Sequence, residues 1–239
     1  MKSLIPVLKT RFKLGLFDPD ELNPYAVIKP EIVSSEKHKQ LAYEVCCKIH
    51  CAAKNKNQAL PLDKESLKNL VVLGPTAADV TSLLGNYNGF SGQLSTFLEG
   101  IVDRVDEGTI VEYNQGFMFH NDSLFHGFWQ AERADAVVLC IGINSLYEGE
   151  EGDAMLNSNG GDRIKIELPE NQVQYFRLVK EKIGNKPLIL VITGGSAMAF
   201  PEIDEMADAV LFAWYPGEQG GNALADILLE MLIRPENYL

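Results

Sequence analysis

Ala136-Val137-Val138-Leu139-Cys140-Ile141-Gly142 is an unbroken apolar run that ends in glycine. A strand with one wet face alternates apolar and polar residues, whereas a run with no polar member belongs to a strand covered on both faces, as in a parallel sheet. Beyond this run comes an acidic, glycine-rich loop, Glu148-Gly149-Glu150-Glu151-Gly152-Asp153, followed by Asn157-Ser158-Asn159-Gly160-Gly161-Asp162-Arg163. A loop past the carboxyl end of a buried strand is where α/β sheets place ligands. Four carboxylates within six residues repel one another, which predicts that at least one holds its proton to higher pH and can act as a general acid near neutrality. The same composition fits a solvated acidic loop or a calcium site, but these carboxylates do not fall on the alternate positions of a calcium loop.

Working outward from that run, the same pattern recurs. Leu70-Val71-Val72-Leu73, Thr109-Ile110-Val111-Glu112-Tyr113, Leu188-Ile189-Leu190-Val191-Ile192-Thr193 and Ala209-Val210-Leu211-Phe212-Ala213-Trp214 read as strands. Helices are expected from Ser34 or Ser35 to about Lys54, Thr76 to Leu84, Ser95 to Val102, Ser123 to Arg133, Asn171 to Ile183, and from Gly221 to about Leu232. Strands alternating with helices predict an α/β protein, a three-layer α/β/α sandwich with a mostly parallel sheet of five to six strands, over residues 34–239. Residues 1–33 are turn-rich and read as an extended linker. The strand ends gather Gly74-Pro75, the Glu148 loop, Gly194-Gly195-Ser196 and Pro216-Gly217-Glu218 on one edge, the expected site.

Composition narrows the function. The formal charge of the 239 residues is 21 − 33 = −12, which argues against nucleic acid or an anionic membrane as partner and leaves neutral ligands such as sugars open. No run is long enough to span a membrane, and the apolar start is too short for a signal peptide, so cytoplasmic residence follows if Met1 is an authentic start. Cys46, Cys47, Cys51 and Cys140 lack metal-type spacing and read as buried free thiols. His120 and His126 have no partner at ligand spacing, so no metal is expected. Gly74-Pro75-Thr76-Ala77-Ala78 has one glycine and no lysine, a poor phosphate cradle that leaves a flavodoxin-like nucleotide binder as a weak rival, and no cofactor is expected.

Five motifs in order carry a family resemblance: Arg11-Phe12-Lys13-Leu14-Gly15-Leu16-Phe17-Asp18, Leu60-Pro61-Leu62, Leu83-Leu84-Gly85-Asn86-Tyr87, Glu148-Gly149-Glu150 and Ala213-Trp214-Tyr215-Pro216-Gly217-Glu218-Gln219-Gly220-Gly221. Together they resemble the C-terminal α/β sandwich domain of glycoside hydrolase family 3, the β-glucosidases and β-xylosidases. The resemblance implies retaining hydrolysis, with an aspartate nucleophile on a preceding barrel domain and an acid/base glutamate lent by this sandwich. It maps the acid/base onto Glu150, with Glu151 as the alternative if the loop register differs.

On this reading residues 1–33 are a linker from an upstream barrel absent here, and residues 34–239 are the sandwich. The chain is then a fragment, half of a split enzyme or a non-catalytic sugar- or protein-binding module, and by itself it should not turn over glycosides. Its partners would be a β-linked glucoside or xyloside and a family 3 barrel in cis or trans, with self-association through the exposed interdomain face. Glu148, Asp162 and Arg163 are secondary substrate-binding candidates. Glu148 and Glu151 read first as electrostatic neighbours, and Asp162 with Arg163 as an ion pair anchoring the loop.

Two departures from the family pattern stand out. Gly152 to Gly161 lengthens the loop before Asp162-Arg163, and His50-Cys51-Ala52-Ala53-Lys54-Asn55 replaces a strongly apolar segment. Such large-to-small changes cost about 2–5 kcal/mol each when fully buried. Elsewhere, Glu218 suits a helix N-terminus, Trp214 and Tyr215 read as core and interface aromatics, and Gly194-Gly195-Ser196 as a tight strand-to-helix turn capped by serine.

Overall fold

The computed structural model describes residues 3–120, 124–150, 152–157 and 159–230. They form two compact units, residues 1–39 and 40–239. The first holds one helix, α1 (Leu4–Lys13), none of whose residues is buried, and two 3-10 turns, Asp20–Leu22 and Pro30–Ile32. The segment read as a linker is partly helical, with Phe12 and Phe17 packed ring to ring at 4.6 Å.

Helix α2 (Glu36–Ile49) leads into the second unit, whose six strands are β1 (Cys51–Asn55), β2 (Asn69–Leu73), β3 (Ile110–Asn114), β4 (Ala136–Gly142), β5 (Leu188–Thr193) and β6 (Ala209–Trp214). Their order is β1-β6-β5-β4-β2-β3. All neighbours run parallel except β1, which pairs antiparallel with β6. The expected three-layer sandwich with a mostly parallel sheet is thus the observed one.

Strand alternation sorts the core into two layers. Leu70, Val72, Val138, Cys140, Ile189, Val191 and Leu211 face α3 (Phe97–Arg104) and α7 (Gly220–Glu230). Their neighbours Val71, Leu73, Val137, Leu139, Ile141, Leu190 and Ile192 face α4 (Phe128–Arg133), α5 (Glu170–Ile183) and α6 (Pro201–Met206). Every residue of β4 is buried, as an all-apolar run requires. Helix α7 is buried along most of its length, which its mostly apolar sequence allows.

Several boundaries move. Helix α2 stops at Ile49 rather than near Lys54, because the next residues form β1 on the sheet edge, where Cys51 pairs with Phe212 and Asn55 with Ala209. Thr76 to Leu84 is two 3-10 turns, Pro75–Ala77 and Val80–Leu83, not one α-helix. Helix α3 starts at Phe97, two residues after the expected Ser95, since Thr96 and Glu99 close a reciprocal capping box. Helix α4 begins only at Phe128, after Gly127 turns left-handed, and Ser123 lies outside the described residues. The chain beyond Glu230, where the last helix was expected to reach Leu232, lies outside them too. Helix α6 was not anticipated.

The thiols of Cys46 and Cys140 are buried and free, that of Cys47 is free and half-buried, and the Cys51 side chain lies outside the description. Burial, and then the neighbouring Cys47, pushes the Cys46 thiol up to about 12. Its Sγ donates to the Pro216 carbonyl at 2.8 Å, tying α2 to the loop after β6. His50, just past α2, is fully buried, its Nδ1 is 2.6 Å from the Cys46 carbonyl, and its Nε2 has no partner. A carbonyl can only accept, so Nδ1 carries a proton, and burial favours the neutral ring.

Burial pulls the His50 pKa from the ordinary 6.5 down to about 4. The unfolded chain therefore takes up this proton first as pH falls, and the associated stability, full above 6.5, drains away through about 4. We expect a loss of about 2 kcal/mol between about pH 7.5 and about pH 5 in urea titrations. In His50→Leu that slope should flatten; an unchanged slope would place the titration on another group.

Candidate functional site

The site is built where the loops leave β4, β5 and β6. Strand β4 ends at Gly142, which pairs with Thr193 at the end of β5. A Cβ at Gly142 would lie 2.1 Å from the Thr193 carbonyl oxygen, and φ is +130°, so only glycine fits. The Gln172 side chain, fully buried, accepts from the Gly142 N–H at 2.8 Å and donates to its carbonyl at 2.7 Å. This amide continues the ladder where the neighbouring strand gives out.

Asn144 then starts the turn that carries the acidic loop. Its carbonyl accepts from Tyr147 and Glu148, and its Oδ1 accepts from Leu146. Its Nδ2 donates to Asp79 Oδ2 at 3.2 Å, linking the loop after β2 to the loop after β4. Burial pushes the Asp79 carboxyl up, but bonds from Ser82, Thr81 and Asn144 outweigh it and hold its pKa below the ordinary value.

Glu148 is the hub. Its side chain is 15% exposed. Oε2 accepts from Gly195 N–H at 2.8 Å and from the Tyr215 hydroxyl at 2.6 Å, Oε1 accepts from Ser196 Oγ, and Arg163 Nε stands 3.7 Å away. Gly195 has to be glycine, since a Cβ there would press on the Tyr215 ring at 2.8 Å. Burial first, and then the bond to Glu148, hold the Tyr215 phenol far above its ordinary range. One carboxylate therefore ties together the loops after β4, β5 and β6. Asn86 adds the loop after β2, donating to the Glu148 carbonyl at 2.6 Å.

Three sequence expectations are corrected. The Asp162–Arg163 ion pair does not form: Asp162 is exposed, and Arg163 turns to Glu148, Ser196 Oγ at 2.6 Å and the Ala197 carbonyl at 2.8 Å. Glu148 is more than an electrostatic neighbour, because every donor around it is a fixed part of the fold. Ser196 caps no helix, since α6 starts at Pro201 without a side-chain cap and the serine hydroxyl is spent on Glu148.

Glu150 differs from Glu148 in every respect. It is exposed, two residues further along the pinned loop. The Tyr87 phenol bonds to its carboxylate, and that bond is the main reason the phenol lies above its ordinary range. Glu151, the alternative, lies outside the described residues. The longer loop folds back on its own stem: Leu156 N–H donates to Leu146 carbonyl at 2.9 Å, Gly152 N–H to Gly160 carbonyl at 2.7 Å, and Asn157 Nδ2 to Gly161 carbonyl at 2.7 Å. Glu148, Asp162, Arg163 and Ser196 line a cleft of about 360 Å³, so the three secondary candidates do meet in one place.

Glu218 stands in the 3-10 turn before α7 and accepts from Ser91 Oγ at 2.6 Å. Trp214 packs edge-on against Phe212 at 4.7 Å. Sequence reasoning missed Gln172, Asn144 and Asp79. Nothing in their local pattern marks them, because each acts on a segment at least 30 residues away, the nearest being Gln172 on Gly142.

Comparison with known proteins agrees with this architecture. The model of the glycosyl hydrolase family 3 C-terminal domain matches residues 53–230. A β-xylosidase of Formosa agariphila is 30% identical over 233 residues, covering 93% of this chain and 30% of the relative. A periplasmic β-glucosidase of Salmonella typhimurium is 28% identical over 254 residues, covering 93% and 31%. The chain thus spans about a third of the length of these relatives. Among solved structures, a family 3 exo-β-xylosidase in complex with a xylobiose aziridine activity-based probe superposes with a TM-score of 0.72 at 30% identity, over 88% of this chain and 26% of that one. With its sheet order, its pinned acidic loop and a match over most of its length, the chain belongs to the glycoside hydrolase family 3 C-terminal domain family.

Proposed function

We propose that this chain is the C-terminal domain of a retaining β-glycosidase acting on β-xylosides or β-glucosides, with Glu150 as the general acid/base. The observation that carries the reading is the contrast within one loop. Glu148 is saturated by donors and locked, whereas Glu150, two residues on, projects from a loop that Glu148 immobilises. A proton-transfer group needs this combination of an open carboxyl and a fixed stem.

In the reaction so read, Glu150 gives its proton to the departing glycosidic oxygen and then takes one from the water that releases the sugar. An aspartate on a barrel domain, in cis or trans, supplies the nucleophile. The β-xylosidase and β-glucosidase names of the relatives support the substrate class. Asp162 and Arg163, at the mouth of the cleft beside Glu148, are the proposed substrate-side neighbours of the loop.

The test is hydrolysis of β-xylosides and β-glucosides by the chain combined with a family 3 barrel domain. Glu150→Gln should lower kcat by about 10²–10⁴-fold. The loss should be larger for xylobiose than for a nitrophenyl xyloside, whose leaving group departs without a proton. Undiminished turnover of xylobiose by Glu150→Gln would remove it from the acid/base role. Glu148→Ala strands three hydrogen-bond donors and a neighbouring guanidinium around a partly buried site and should cost about 3 kcal/mol of stability in chemical denaturation. A loss below about 0.5 kcal/mol, the range of an ordinary surface change, would mean that the loop is held by something else.

A further inference from the structure

Helix α5 begins on the far side of the same loop. It runs for 14 residues from Pro169, with no side chain capping its first N–H groups. Asn171, in that first turn, is only 5% exposed, yet its Nδ2 has no hydrogen-bond partner. A buried amide donor left without an acceptor is destabilising, because its desolvation is not repaid.

Asn171 lines a cleft of about 500 Å³ together with Phe119, Tyr147, Leu156, Glu170 and Gln174. The aromatic wall is fixed: the Tyr147 hydroxyl donates to the Phe119 carbonyl at 2.9 Å, and the two rings meet edge to face at 5.8 Å. Nδ2 lies beneath the cleft surface, but the terminal amide torsion of asparagine is soft, and turning it presents the NH₂ to the cleft.

The chemistry selects a neutral polyol. An open helix N-terminus by itself favours an anion, but the Glu170 carboxylate stands on the same turn and the chain carries a net charge of −12. His120 and Met155 also line the cleft, so an aromatic and aliphatic wall faces one carboxylate, one imidazole and two amides, a set that pairs with the apolar face and the hydroxyls of a sugar ring.

We propose that this cleft is a second carbohydrate-binding site, taking one glycosyl unit of a neutral β-linked oligosaccharide. The ring lies along Tyr147 and Leu156, and its hydroxyls accept from Asn171 and Gln174 and donate to Glu170. Tyr147 and Leu156 belong to the loop that also carries Glu148 and Glu150, so an occupant would stiffen that loop from behind. The site goes beyond the acid/base reading and does not depend on it, since its test needs no turnover.

Xylobiose and cellobiose are titrated into the ¹⁵N-labelled chain, with inorganic phosphate as the competing probe. The expected result is saturable shifts at Asn171 NH₂ and at the amides of residues 119, 147, 156 and 170–174, with none for phosphate. Asn171→Leu should weaken binding about tenfold, the loss of one net hydrogen bond. The exposed Gln174→Ala, which leaves the fold intact, should weaken it several-fold and serves if Asn171→Leu does not fold. Shifts confined to Glu148, Glu150 and Gly195, shifts from phosphate alone, no shifts, or undiminished binding by both variants would each overturn the proposal.

Discussion

Strand β4 is covered on both faces and flanked by β2 and β5, so its backbone has no recourse to water. Each N–H and carbonyl along it must be paired within the protein. The sheet neighbours do this up to Gly142, where the parallel ladder ends, and there Gln172 supplies the missing donor and acceptor from the first turn of α5. The two elements are locked together at the one point where the chain must leave the sheet. Everything functional hangs from that exit: Asn144 shapes the turn, Asp79 braces it from the loop after β2, and four residues later Glu148 ties it to the loops after β5 and β6.

The two glutamates show how one loop divides its labour. A carboxylate can accept about four hydrogen bonds, and Glu148 receives them from a backbone N–H, a serine and a tyrosine, with a guanidinium alongside. A group so engaged is a fixed strut. Glu150 has the exposure that Glu148 lacks, and its backbone is restrained by what Glu148 binds. Arg163 completes the arrangement from the far end of the loop, binding Ser196 and Ala197.

A second polar network, around α2 and α7, follows a different logic. Along α2 and β1, polar side chains sit under cover: Cys46 donates to Pro216, His50 is held neutral, and Asp226 accepts from Tyr43 at 2.6 Å and from Arg104 at 2.8 Å. Asp226, from α7, binds α2 and α3 at once. The segment whose small residues read as a weakness in the core is an edge strand with a single sheet neighbour. Its side chains Ala53, Lys54 and Asn55 are exposed or half-buried, where the penalty for a small residue is slight.

Sequence alone determined the class of this fold, because a strand buried on both faces can only be written as an unbroken apolar run, and β2, β4, β5 and β6 are written so. It also determined which loops share one edge, since parallel strands present all their carboxyl ends together. It did not determine β1, whose Cys-Ala-Ala-Lys-Asn reads as a helix end until β6 offers it an edge to pair with. Nor did it determine the roles of Glu148, Arg163 and Ser196. Their neighbours in sequence suggested a pair with Asp162 and a helix cap, whereas the partners they take lie 15 to 67 residues away. Local pattern encodes burial, residue by residue; which donors converge on one carboxylate is settled only when loops from separate strand ends bring donor and acceptor atoms within about 3 Å.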